Sequence, residues 1–320
     1  NCYTLGVDAL PESNKPTQRG SMLNGVIMGI EPEETPVHIL CCTPEELKVM
    51  PDLLFVTKGG QLKRSIAEEY EVRRQKFAAL NLRDGDRLLA VLPLDPAQDM
   101  LLLSRSGMSV RFHADSLPVM GRATAGVKGI TLDIGDEVIF AAQPNPSDQA
   151  LLLSDRGFGK RVLFMDFEPQ ARGGKGVKAF YFNKSGSNGT CLAGTLLVGE
   201  QPGTALLTQK MSAPSLLNIS DVVLQGKQDK GMPYVMAIMD DVITGVQIYP
   251  SAEAEVAMLD HHGERDMLEP LVPVTDAAAV MRAVQVVRRV FVHPSLKTYL
   301  VGIVNQTRSQ SAARLGASPR

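Results

Sequence analysis

The sequence predicts a mainly β protein, a propeller-like ring of about five blades of roughly 50 residues each, followed by a small α-helical bundle. Three observations carry this expectation. A hairpin signature recurs four times at intervals of 47, 50 and 54 residues; a basic, small-residue loop recurs five times; and near residue 249 the pattern changes to apolar residues spaced three and four apart.

The hairpins are "LLFVTKGGQLKR" (53–64), "MLLLSRSGMSVR" (100–111), "ALLLSDRGFGKR" (150–161) and "ALLTQKMSAPSL" (205–216), aligned on Thr57, Ser104, Ser154 and Thr208. Each reads as an apolar strand, a Thr/Ser-x-x-Gly turn and a second strand. The fourth copy has lost the glycine and the basic pair. The recurring loops are "TQRGSMLNGV" (17–26), "VRRQKFAALNL" (72–82), "MGRATAGVKGI" (120–130), "QARGGKGVKAF" (170–180) and "LQGKQDKGMPY" (224–234). A further strand with an acidic turn follows several of them, as in "RDGDRLLAVLPL" (83–94), "DIGDEVIFAAQP" (133–144) and "MDDVITGVQI" (239–248). The missing tryptophan speaks against WD40 blades, and the position of the double glycine against kelch blades.

In the loops, glycine frees the backbone for positive φ and close approach, while arginine and lysine offer cationic donors. Such a loop reads either as a polyanion site or as a solvated turn on an inert scaffold for protein partners. A formal net charge of −2 excludes an evenly basic surface, and residues 1–248 carry 25 Lys and Arg against 28 Asp and Glu. A polyanion site therefore has to be a local stripe. The cysteines (Cys2, Cys41, Cys42, Cys191) form no CxxC pair and the histidines show no ligand spacing, so neither metal nor disulfide framework is expected. The cysteines read as small hydrophobes in strands. With no apolar run near 20 residues and no leader pattern, the expected location is cytoplasmic, with no membrane partner.

Taken in order, "TKGGQLKRS", "MGRATAGVKGI", "DRGFGKR" and "RGGKGVK" resemble the C-terminal domain found in the A subunit of DNA gyrase and in its topoisomerase IV counterpart, over residues 1 to about 248. The resemblance implies a β-pinwheel, a propeller relative whose blades exchange strands. It also implies a basic perimeter that wraps double-stranded DNA, with the DNA-breakage domain and B subunit of a type IIA topoisomerase as partners. Wrapping needs backbone contacts and no base reading. The main DNA-binding candidates are Arg111, Arg122, Lys128, Lys160, Arg161, Arg172, Lys175 and Lys178; Arg19, Lys63, Arg64, Arg73, Arg74 and Lys76 complete the set. The family's Gln-Arg-Arg-Gly-Gly-Lys-Gly box belongs to a first blade that this chain is expected to lack. "QARGGKG" (170–176) resembles the box with Ala171 in place of one arginine. The catalytic tyrosine domain is likewise expected to be absent, so the chain should not cut DNA, and no cofactor is expected.

From about 249 the segments "YPSAEAEVAML", "VHPSLKTYLVGIVNQTR" and "LGASPR" resemble the helical lid of MoxR-type AAA+ ATPases. By that resemblance Arg320 would act as a nucleotide sensor in an intact ATPase. No GxxxxGK[ST] loop accompanies it, so ATP hydrolysis by this chain is not expected. His261 and His262 read as surface residues. The two parts, 1–248 and 249–320, meet without a Pro/Gly/Ser-rich linker, which reads as a junction of two gene fragments rather than a functional fusion. The alternative reading makes the lid the working part.

Overall fold

The computed structural model describes residues 1–11, 21–31, 33–200, 203–237 and 240–249. The expectations for the tail (helical bundle, ATPase lid, Arg320, His261 and His262) and for Arg19 lie outside the described residues. The chain divides into two compact units, 1–255 and 256–320, and every described residue lies in the first.

The strands are β1 (Cys2–Tyr3), β2 (Asp52–Thr57), β3 (Gln61–Ser65), β4 (Lys76–Phe77), β5 (Leu88–Leu94), β6 (Asp99–Ser104), β7 (Met108–His113), β8 (Val127–Lys128), β9 (Val138–Ala142), β10 (Gln149–Ser154), β11 (Phe158–Leu163), β12 (Val177–Lys178), β13 (Leu192–Val198), β14 (Thr204–Gln209), β15 (Ser215–Asn218), β16 (Met232–Pro233) and β17 (Ile243–Tyr249). They form three four-stranded blades, β5-β2-β3-β8, β9-β6-β7-β12 and β13-β10-β11-β16, a three-stranded blade β15-β14-β17, and a two-stranded pair β1-β4. Four blades are thus present among the described residues, against the five expected. Ahead of the first hairpin, the described residues contribute only the two residues of β1 to a sheet. The cysteines also depart from expectation: Cys2 lies in β1, but Cys41, Cys42 and Cys191 lie outside strands.

The apolar runs form strands buried on both faces. Along β6, Met100 and Leu102 pack with Leu54, Val56 and Leu62 of the first blade, while Leu101 and Leu103 pack with Leu152, Val162 and Phe180 of the third. Along β10, Leu151 and Leu153 face Ala205, Leu207 and Leu217 of the fourth. Period-2 alternation therefore feeds two cores from one strand, and each core belongs to a pair of neighbouring blades.

The hairpin turns are closed as their sequence requires. Gly60, Gly107 and Gly157 all take φ of +80°, and Thr57, Ser104 and Ser154 accept the hydrogen bonds that tighten each turn. The acidic turns complete them. Asp86 accepts from Thr57 Oγ1 (2.6 Å) and Gly59 N (2.7 Å), and Asp136 from Ser106 Oγ (2.6 Å) and N (2.9 Å). Asp241 accepts from Met211 N and Ser212 N, whereas in the third blade the acid sits in the hairpin itself and Asp155 takes Thr190.

The fourth strand of each complete blade is lent by the following repeat. β8 pairs with β3, β12 with β7 and β16 with β11, each over two residues, and β4 pairs with β1 by the same rule. A glycine at positive φ precedes three of them: Gly126 (+85°), Gly176 (+79°) and Gly231 (+74°). A Cβ at Gly176 would lie 2.4 Å from the Ser109 carbonyl oxygen, and one at Gly126 would lie 2.5 Å from that of Leu62. Only glycine permits both the dihedral and the approach. Gly176→Ala is therefore expected to cost at least about 2 kcal/mol in urea unfolding, the left-handed penalty plus displacement of β12. Gly135→Ala, at φ +82° with open space around it, should cost about 1 kcal/mol.

Candidate nucleic-acid interface

The cations of the hairpins and those of the lent-strand loops have different environments. Arg64, Arg111 and Arg161 occupy equivalent positions on β3, β7 and β11, and each reaches into the next repeat. Arg64 Nη1 donates to Leu117 O (3.3 Å), Arg111 Nη1 to Phe167 O (2.9 Å) and Phe164 O (3.4 Å), and Arg161 Nε to Val222 O (2.6 Å). These carbonyls lie in or just after the 3-10 turns Ala114–Ser116, Phe164–Asp166 and Ile219–Asp221, so a cation meets the negative end of each turn. Arg64 and Arg111 also bind diagonal cross-strand acids, Asp52 at 2.6 Å and Asp99 at 2.8 Å. The third blade has Gln149 at that place, and Arg161 relies on carbonyls alone. These arginines join blade to blade.

Lys63 and Lys160, expected among the DNA contacts, are both fully buried. Lys63 Nζ donates to the Ala79 and Arg122 carbonyls and lies 4.7 Å from the centre of the Phe55 ring. Lys160 Nζ donates to Gly226 O, Lys227 O and Asp229 O, each at 2.8 Å, 5.3 Å from the Phe180 ring centre. Burial pushes both ammonium groups down, to about 8. The signal was in the sequence: apolar runs such as "LLFV" imply burial on both faces, and a lysine on the paired central strand shares it. Arg122 is half-buried, its guanidinium on Glu69 O (2.9 Å) and over the Phe77 ring. Lys76 is tied to Gly29 O (2.9 Å) and Glu31 (3.1 Å).

The remaining described candidates lie on the lent-strand loops and, apart from the half-buried Arg172, face outward. Lys128 and Lys178 are exposed at matched positions of β8 and β12, opposite Gln61 and Met108, and Arg73 and Arg74 are exposed just before β4. Lys175 is 72% exposed, and its bridge to Asp133 (2.9 Å, 79% exposed) is a surface pair of small worth. Sequence reasoning passed over Lys230, exposed just before β16. Successive loops are bonded to each other. Asn81 Nδ2 donates to Ala123 O (2.8 Å); Gly173 N donates to Gly129 O (2.8 Å), Arg172 Nη1 to Lys128 O (2.6 Å) and Thr131 N to Gly174 O (2.8 Å); and Asn188 bridges Tyr181 O and Lys230 O. Lys128, Arg172, Lys175 and Lys178 therefore belong to two directly joined loops.

This arrangement is similar to that of known proteins. Residues 51–95, 98–145 and 148–187 match the family described as "DNA gyrase C-terminal domain, beta-propeller". These matches cover the first two blades and the hairpin and lent strand of the third repeat. The DNA gyrase A subunit of Chlamydia muridarum is 30% identical over 249 residues, 77% of this chain and 29% of the relative. Its Staphylococcus aureus counterpart is 30% identical over 207 residues, 63% of this chain and 23% of the relative. The chain thus spans less than a third of the gyrase subunits it matches. Among solved structures, the C-terminal domain of DNA topoisomerase IV aligns with a TM-score of 0.60 at 21% identity, covering 68% of each chain. A DNA gyrase A C-terminal domain aligns at 0.54 and 22%, covering 63% of this chain and 67% of that one. Among the described residues no helix is long and apolar enough to cross a membrane.

Arg111→Ala breaks a mostly buried ion pair and removes the donor to Phe167 O, while Phe164 O keeps the Phe167 N–H. It is expected to cost about 3 kcal/mol in chemical unfolding, whereas Lys178→Ala should stay within about 0.5 kcal/mol.

Proposed function

We propose that the repeat unit is a non-catalytic DNA-binding and DNA-wrapping module from the A subunit of a type IIA topoisomerase, working with that enzyme's breakage domain. The observation that carries this is the recurrence of outward, unburied cations on successive lent-strand loops, loop joined to loop, while the cations of the second hairpin strands are engaged between the blades. Arg73, Arg74, Lys128, Lys175, Lys178 and Lys230 would meet backbone phosphates, with Arg172 supporting them. None of these loops is a helix or ribbon built to enter a major groove, so the contact would be indifferent to base sequence and would rely on bending the duplex.

Net charge is no obstacle to this reading. Asp86, Asp136 and Asp241 are engaged in closing the hairpin turns, so the acidic excess is partly internal to the blades. Lys175 can exchange its exposed aspartate for a phosphate at little cost. Duplex affinity should fall steeply between 50 and 200 mM salt. Reversing Lys128, Lys175 and Lys178 to glutamate should weaken binding by about tenfold or more with an unchanged unfolding midpoint. Gel-shift titrations at several salt concentrations, with random and defined duplexes, check both points; binding that ignores the triple reversal contradicts the proposal.

A further inference from the structure

Lys63 and Lys160 each sit beneath two consecutive lent-strand loops. Lys63 bonds Ala79 O, just after β4, and Arg122 O, in the loop leading to β8. Lys160 lies against the Phe180 ring, just after β12, and bonds three carbonyls of the 226–229 turn leading to β16. The middle blade has Val110 at the equivalent strand position. There Thr131 does the corresponding work without charge, its N–H on Gly174 O (2.8 Å) and its Oγ1 on Gly173 O (2.7 Å). Three loops of one molecule are thus held from within, two by an ammonium and one by a threonine.

We propose that Lys63 and Lys160 are positioning residues of the rim, fixing from inside the blade the backbone of the loops whose exposed cations meet the duplex, as Thr131 does in the middle blade. The part concerning the duplex rests on the proposed function; the holding of the loops does not. Three charged donations to carbonyls orient a turn more firmly than water would, and the exposed Lys230 directly follows the turn that Lys160 holds. The charged and titratable groups around Lys63 are Glu69, Arg122 and Tyr70; Asp229 is the one that faces Lys160.

The pH dependence has a defined sign. Burial lowers both ammonium groups from 10.5 to about 8, and opening a loop returns its lysine to water and to the ordinary value. Below pH 8 the lysine is protonated in both states and opening does not depend on pH. Above pH 8 opening takes up a proton, so the closed loop gains as pH rises toward 10.5.

Hydrogen exchange on the full 320-residue chain, expressed relative to intrinsic rates, tests this without DNA. From pH 7 to 9 protection of residues 122–124 and 226–229 should rise about tenfold, and that of 172–174 should stay level. Lys160→Met should speed exchange at 226–229 about tenfold at pH 7 and abolish the rise there alone. Thr131→Val should loosen 172–174 alone, which keeps the test decisive if the lysine variant fails to fold. Equal pH behaviour of all three loops, or unchanged exchange at 226–229 in Lys160→Met, overturns the proposal. In duplex titrations Lys160→Met should weaken binding and flatten its salt dependence. Looser loops with unchanged affinity would refute the positioning role. Absence of any salt-dependent binding by the unaltered chain would instead count against the DNA reading, with the exchange result still deciding whether the lysines hold the loops.

Discussion

The structure depends on one constraint: a two-residue strand from each repeat must reach the second hairpin strand of the repeat before it. The pairing is short, so its own hydrogen bonds contribute little. The approach is made possible by a glycine at positive φ, where the backbone passes so close to the Leu62 or Ser109 carbonyl that a methyl group has no room. Everything on the rim follows from it. The loop that delivers the strand cannot be buried, so its remaining side chains face water, and at Lys128 and Lys178 they are cations at equivalent places. The stretch "QARGGKGVK" holds three glycines because it is such a delivery loop.

Charge is sorted by depth as well as by side. Arginines at one strand position clasp the carbonyls that close the next repeat's 3-10 turn, and lysines one position earlier tie down loops from below. Positive charge therefore serves as mortar between blades, where carbonyl groups at turn ends would otherwise lack donors. Acids close the hairpin turns. Among the exposed cations is a set on mutually bonded loops, and a net charge near zero conceals it.

Much of this was legible in the sequence. The hairpins, their Thr/Ser-x-x-Gly turns, the acidic turns and the recurrence of the basic loops all follow from period and turn chemistry. Strand lending does not, because two residues are too few to show alternation, and only the resemblance to a strand-exchanging family raised it. Four blades stand among the described residues against the five expected, because ahead of the first hairpin β1 pairs over two residues only. The candidate cations were chosen by residue type, which cannot separate Lys63 from Lys128. The separation lies in register: Lys63 is on a central strand paired on both sides, while Lys128 is on an edge strand.

The central claim is that the exposed lent-strand cations form the duplex-facing track while the cations of the second hairpin strands are internal. Lysine-reactivity footprinting of the full chain, read by mass spectrometry with and without duplex, tests it most directly. Lys128, Lys175, Lys178 and Lys230 should lose reactivity on adding duplex and regain it as salt is raised, with Lys63 and Lys160 unreactive throughout. Unchanged reactivity at those four, or protection centred on Lys58 and Lys210 of the hairpin turns, would contradict the account.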